Sequence, residues 1–433
     1  RNLHRNVIFA NREVPALPTS YVEEPTKEGL WQALRRDCLE AGTGCDVLTI
    51  PHNSNLSGGL MFEDVGRGGA PLTREEARER ASFEPLVEIM QHKGSSECLL
   101  APGNEDELCD FEILPYDDFQ GKYVSWLRHP PRPSDTVRDA LLRGLLIEAR
   151  TSANPFKYGI VASTDTHLGT PGATAEESYP GHGGAGAPAA NALPEGLPDD
   201  LEFNPGGLAV IWAEENSRES LFAAMRRRET YGTSGTRPVL RLFGGWEHPE
   251  DLCGRPDFAA VGYATGVPMG GVLPPAPASA DAPSFAVLAL ADPGSARHPG
   301  TPLQRLQVVK GWVSGGTLHE KVYDVAGDPD NGASVDLATC DRKGEGASSL
   351  CAVWRDPDFD ASARAFYYAR AVENPTCRWS AVLCSRAGVH CDDPSTMRAG
   401  YEACCRPDHH WTVQERAWSS PIWYAPKAPE SGS

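Results

Sequence analysis

Three short stretches end in side chains that do acid–base or metal chemistry. "LTIPHNSN" delivers His52, Asn53 and Asn55; "VEIMQHKGSSE" delivers Glu88, Gln91, His92 and Lys93; "GIVASTDTHLG" delivers Asp165 and His167. In each, an apolar β-type run passes directly into polar groups. Asp165 and His167 are two residues apart, so in extended backbone both side chains lie on one face. Imidazole and carboxylate sharing a face suit Zn, Mn or Fe. One such strand end carries little weight, but three of them point to a shared site. Each residue also has a plainer reading: His4 as a strand-end cap, His92 as a polar wall residue. His409 and His410, beside Cys404 and Cys405, read as surface histidines next to disulfides rather than as a metal cluster.

The elements that must position these groups alternate in type. "TKEGLWQALRRDCLEA" (26–41) predicts a helix capped by Thr26, "TREEARERAS" (73–82) one capped by Thr73, "SDTVRDALLRGLLIEARTS" (134–152) one capped by Ser134, and "SRESLFAAMRRRET" (217–230) one capped by Ser217. Between them, "DVLTIPHNSN", "PLVEIMQHK" (85–93), "YGIVASTDTH" and "GLAVIWA" (207–213) predict strands. Such alternation predicts a mostly parallel α/β sheet or barrel over residues 1–245, with the carboxyl ends of the strands facing the functional side. The loop 168–206, rich in Gly, Pro and Ala, reads equally as a lid and as a surface excursion. After Gly245 helical periodicity fades and short β-like runs appear, predicting a β-rich domain over 246–433 that packs on the first.

Acidic residues outnumber basic ones, 59 to 40 in 433 residues, for a net charge of −19. With no basic patch, that charge argues against nucleic acid and anionic membranes as partners, and no apolar stretch is long enough to span a bilayer. The twelve cysteines include no C-x-x-C. They read as disulfides in an oxidising compartment, periplasmic or secreted. Cys38 with Cys45, Cys98 with Cys109 and Cys340 with Cys351 each bracket a polar loop. Cys253 is left to join Cys377, Cys384, Cys391, Cys404 and Cys405, and the adjacent Cys404 and Cys405 should reach different partners.

"IPHNSN", "VEIMQHKGSSE" and "ASTDTH" together resemble the later motifs of the polymerase-and-histidinol-phosphatase (PHP) superfamily. Longer stretches, "GTGCDVLTIPHNSNLSGGLMF", "NPFKYGIVASTDTH", "VIWAEENSRESLFAAMRRRETYGTSGTRPVLRLFGGW" and "QERAWSSPIWYAP", resemble a large bacterial family known as a domain of unknown function. The PHP resemblance implies a distorted (β/α)7 barrel and a metal-dependent phosphoesterase using two or three divalent ions, Zn, Mn or Fe. It implies that His52, Asp165 and His167 are ligands, with His4 as a further one. His92 and Lys93 then flank the site and touch substrate, and Arg237 in "TSGTRP" binds an anionic group or makes a structural salt bridge. The superfamily pattern opens with His-x-His and a bridging glutamate. Neither is present, for no His-x-His occurs among the twelve histidines and no glutamate precedes His4. The expectation is therefore that the first barrel strands, on a segment carrying those ligands, lie upstream of Arg1 and pair with this chain.

The activity implied is hydrolysis of a small anionic or ester substrate by metal-activated water. Two other classes stand beside it: a secreted protein that binds metal or ligand without catalysis, and an extracellular structural or assembly component. No G-x-S-x-G elbow supports a serine hydrolase, and disulfide pairing disfavours a cysteine nucleophile.

Overall fold

Local capping explains most of the helices. In the computed structural model, residues 2–101, 104–179, 181, 193, 195–196, 199–277 and 280–426 are described; much of the loop 168–206 therefore lies outside them. Thr26 accepts a hydrogen bond from the Gly29 amide and opens Lys27–Leu34, which runs on through one wider turn, Arg35–Leu39. Thr73 and Glu76 form a reciprocal capping box at Arg74–Phe83. Ser217 caps Arg218–Arg227. The cap of Val137–Thr151 is Thr136, not Ser134, because Pro133–Asp135 forms a separate tight turn first.

The strands do not form a barrel. Among the described residues, one ladder between strands is parallel, Leu86–Glu88 with Gly159–Val161. Val47–Pro51 pairs antiparallel with Arg5–Phe9, and Leu208–Ile211 antiparallel with Thr230–Thr233. A (β/α) barrel needs parallel neighbours closing on themselves; these sheets are mainly antiparallel and none closes. The strand expected over 85–93 ends at Glu88. Met90–Gln91 then folds back on Gly94–Ser95 around Gly94, whose φ of 98° a side chain would resist.

Strands are frequent after Gly245, but the two large sheets they form also take Leu208–Ile211, Thr230–Thr233 and Val239–Gly245 from before it. The largest sheet runs Thr317–Gly327, Leu303–Ser314, Arg364–Glu373, Arg416–Ser419, Thr230–Thr233, Leu208–Ile211, with Ile422–Tyr424 also on Arg364–Glu373. A second sheet runs Gly266–Pro268, Val239–Gly245, Ser284–Leu290, Ser349–Arg355. Strand Arg364–Glu373 serves two cores by simple alternation. Phe366 and Tyr368 point to a core with Val87, Leu141, Leu145 and Phe156. Ala365, Tyr367, Ala369 and Ala371 point to a core with Leu240, Phe285 and Val287 of the second sheet.

All twelve cysteines are paired. Cys38–Cys45 and Cys98–Cys109 close local loops as expected, and Cys404 and Cys405 reach Cys384 and Cys391 separately. The expected Cys340–Cys351 bond is replaced by Cys340–Cys377 and Cys253–Cys351. Cys351 sits on Ser349–Arg355 in the second sheet, whereas Cys340 lies in a loop outside it. Six disulfides suit an oxidising, extracytoplasmic compartment. No helix among the described residues is long and apolar enough to cross a membrane.

Candidate functional site

The parallel ladder brings two of the three polar strand ends together. Its register sets Glu88 beside Val161, so Ser163, two residues on, donates from Oγ to Glu88 Oε2 at 2.5 Å. The third strand, Val47–Pro51, joins through packing: Leu48 and Ile50 share an apolar cluster with Leu86 and Val161. His52 then leaves its strand end with Nδ1 on Glu88, 2.8 Å from Oε1 and 3.0 Å from Oε2. Asn53 turns through the left-handed region at φ 58°, and its side-chain amide lies 3.2 Å from His52 Nε2.

Asp165 is the centre. Its backbone is also left-handed, φ 49°, which turns the carboxylate toward the other strand ends. His52 Nε2 lies 3.4 Å from Oδ1 and His167 Nε2 lies 3.6 Å from the same oxygen. On the other oxygen, Oδ2, converge the Lys93 ammonium, His92 Nδ1 at 3.4 Å and the Gln91 side-chain amide at 3.3 Å. His92 is 1 % exposed and stands edge-on to Phe203. His167 is largely exposed, and the His4 ring stacks on His52 with centroids 6.3 Å apart. Arg237 is held elsewhere, its guanidinium on the Gly172 carbonyl and its amide on Asp292.

Charge is tightly balanced here. Burial lowers the His52 pKa, but the Glu88 and Asp165 carboxylates outweigh it and push the imidazole up to about 10. Burial would raise Asp165; hydrogen bonds from His52 and His92 and the Lys93 charge instead hold it well below the usual carboxylate range. Burial lowers Lys93 against the pull of Asp165, and burial, with His52 close by, lowers His4. His52 and Lys93 thus supply the positive charge that Asp165 and Glu88 demand.

The donor set suits a divalent ion in chemistry and in part of its geometry. Ligand bonds of about 2.1 Å place neighbouring donors about 3.4 Å apart around a tetrahedral ion. The His52–Asp165 and His167–Asp165 separations form two such edges. The third edge is open, for His52, Asp165 and His167 do not offer three ligand atoms within 4.8 Å of one another. Among the described residues, the one trio that meets this distance is Cys98, Asp106 and Cys109. Its two sulfurs are bonded to each other, so it offers no thiolate.

The motifs therefore place His52, His92, Lys93, Asp165 and His167 together, with His4 stacked at the rim, and leave Arg237 apart. Glu88 and Gln91 stand in the same motifs, but their work was hidden: Glu88 fixes His52, and Gln91 bridges Asn53 and Asp165. Ser163 carried no signal of its own. No curated protein and no solved structure matches the chain. A family profile described as "Protein of unknown function (DUF3604)" matches residues 1–426, nearly the whole chain, and the chain belongs to that family.

Proposed function

We propose that this chain belongs to a metal-dependent hydrolase acting on small anionic esters, phosphoesters first, in the manner of the PHP superfamily, and that it works in the periplasm or outside the cell. The observation that carries the reading is Asp165 Oδ1, shared by two imidazole nitrogens at 3.4 and 3.6 Å. His52, Asp165 and His167, with His4 at the rim, are the residues to hold divalent ions, Zn, Mn or Fe. When bound, such ions lower the pKa of coordinated water and offset charge developing on the substrate. Glu88 takes His52 Nδ1, which leaves Nε2 to face Asp165. Lys93 and His92, on the far oxygen of Asp165, are placed to hold an anionic substrate group once an ion relieves that carboxylate. The open third edge calls for further ligands, and we assign them to a segment carrying His-x-His and a glutamate.

The test is elemental analysis of the purified protein together with turnover on a phosphoester panel, wild type against His52→Ala. Bound divalent metal and hydrolysis, both lost in His52→Ala, support the reading. Metal lost on substitution but no turnover on any ester moves the chain to the class of non-catalytic metal binders. Metal-free protein in which His52→Ala changes nothing overturns both.

A further inference from the structure

The "TSGTRP" segment lies against two buried carboxylates that the hydrolase reading does not use. Glu373 ends the strand Arg364–Glu373, and Glu415 directly precedes Arg416–Ser419. These strands pair Arg370 with Trp418, Ala371 with Ala417 and Val372 with Arg416. The register continues one step, for the Glu373 amide donates to the Glu415 carbonyl at 2.8 Å. The two side chains are therefore direct cross-strand neighbours on one face, an arrangement that like charges disfavour. Glu373 is 0 % exposed and Glu415 4 %. Neither carboxylate oxygen of Glu373 has a well-formed hydrogen bond; the Thr236 hydroxyl beside it is the one side-chain donor that lowers its pKa against burial, and only in part. Glu415 accepts from Ser234 Oγ.

The neighbouring charges do not settle the pair. Asp292 and Glu112 add negative potential, and Glu176 faces Glu415. Arg416 and Arg342 are near, but their guanidiniums go to other oxygens: Arg416 to the Leu108 and Gln414 carbonyls, Arg342 to Gly300, Pro299 and the Thr301 hydroxyl. Two carboxylates shut away from water cannot both stay ionised without a counter-charge. The side-chain groups gathered here are all oxygens: two carboxylates and two hydroxyls, with no imidazole or thiolate among them. That chemistry selects a hard cation over zinc.

We propose that Glu373, Glu415, Ser234 and Thr236 form a buried site for a hard cation, calcium foremost, separate from the His52–Asp165 cluster. The ion ties the "TSGTRP" turn to the ends of two strands of the large sheet. Being enclosed, it is a structural ion taken up on folding, and its binding energy is folding energy.

The test uses the full chain, stripped with EDTA and dialysed, with thermal unfolding followed as calcium chloride is added. Wild type and His52→Ala should both gain stability, and calorimetry should show one calcium bound per chain, which keeps this site distinct from the metal cluster. Glu373→Gln, which keeps shape and removes one charge, should lose the response. Should that variant not fold, Thr236→Val carries the test by weakening calcium binding about tenfold. A calcium response in Glu373→Gln or Thr236→Val equal to wild type overturns the proposal. So does a wild type that ignores calcium; if it instead gains stability as pH falls from about 8 to about 5, a shared proton holds the pair.

Discussion

Lys93 decides how open Asp165 is to a cation. Its ammonium rests on Asp165 Oδ2, and a positive charge that close opposes a second one. Lys93→Met should therefore raise zinc affinity by about tenfold or more, read by calorimetry at neutral pH; an unchanged affinity would show that Lys93 does not compete for the carboxylate. A second titratable residue acts far from this site. His409 is 8 % exposed, between Ser380 Oγ at 2.9 Å and the Cys404 carbonyl at 3.0 Å. Burial drives its pKa down to about 4. The unfolded chain therefore binds the proton more readily, so the stability from neutral His409 is complete above about pH 6.5 and lost as pH falls toward 4. That loss should reach up to about 3 kcal/mol in urea titrations across this window, and His409→Gln should flatten it. At this scale the motifs were readable because a strand end announces itself by an apolar run turning polar. The Glu88 contact was not, because it joins residues 36 apart through the packing of neighbouring strands.

Three of the four expected helix starts were legible, since Thr26, Thr73 and Ser217 announce a cap by residue type and position; the fourth is capped by Thr136 rather than Ser134. Strand direction was not legible. Alternating helix and strand signals look the same whether the chain crosses over to lie parallel, as Leu86–Glu88 and Gly159–Val161 do, or returns antiparallel, as Leu208–Ile211 and Thr230–Thr233 do. The Cys340–Cys351 expectation failed for a related reason: tertiary packing, not nearness in sequence, sends Cys351 on the second sheet to Cys253 in the short turn Leu252–Gly254, and Cys340 to Cys377. The consequence is measurable. Cys253–Cys351 closes a separation of 98 residues and Cys38–Cys45 one of 7. Chain entropy then assigns about 5 kcal/mol to the first and about 2 to the second. Denaturant midpoints should fall further for the Cys253→Ala, Cys351→Ala double variant than for Cys38→Ala, Cys45→Ala; the reverse order would show that strain in the folded state outweighs the loop term.

The whole molecule is joined through a buried ionic knot. Arg370, from the large sheet, reaches Glu97 at 3.0 Å and Asp106 at 2.8 Å, and Arg138, from the helix Val137–Thr151, reaches the same two carboxylates at 2.7 and 2.8 Å. The Trp418 indole and the Tyr368 hydroxyl also donate to Glu97. All four charged groups are nearly or wholly buried. A buried pair robbed of one partner loses about 3–5 kcal/mol, and here Arg370 comes from the second half of the sequence and its partners from the first. The apolar packing follows the same plan: Val309, Phe366, Tyr368, Trp418 and Trp423 complete the core that Val87, Leu141 and Phe156 begin. The candidate site depends on that core, because Glu88 and Asp165 flank strands packed into it. Residues 1–245 produced alone should therefore lack a cooperative thermal transition and should bind zinc more weakly than the full chain, whereas co-expression with residues 246–433 should restore both. A cooperative melt and full zinc affinity from 1–245 alone would show that the first half carries its site without the sheet behind it.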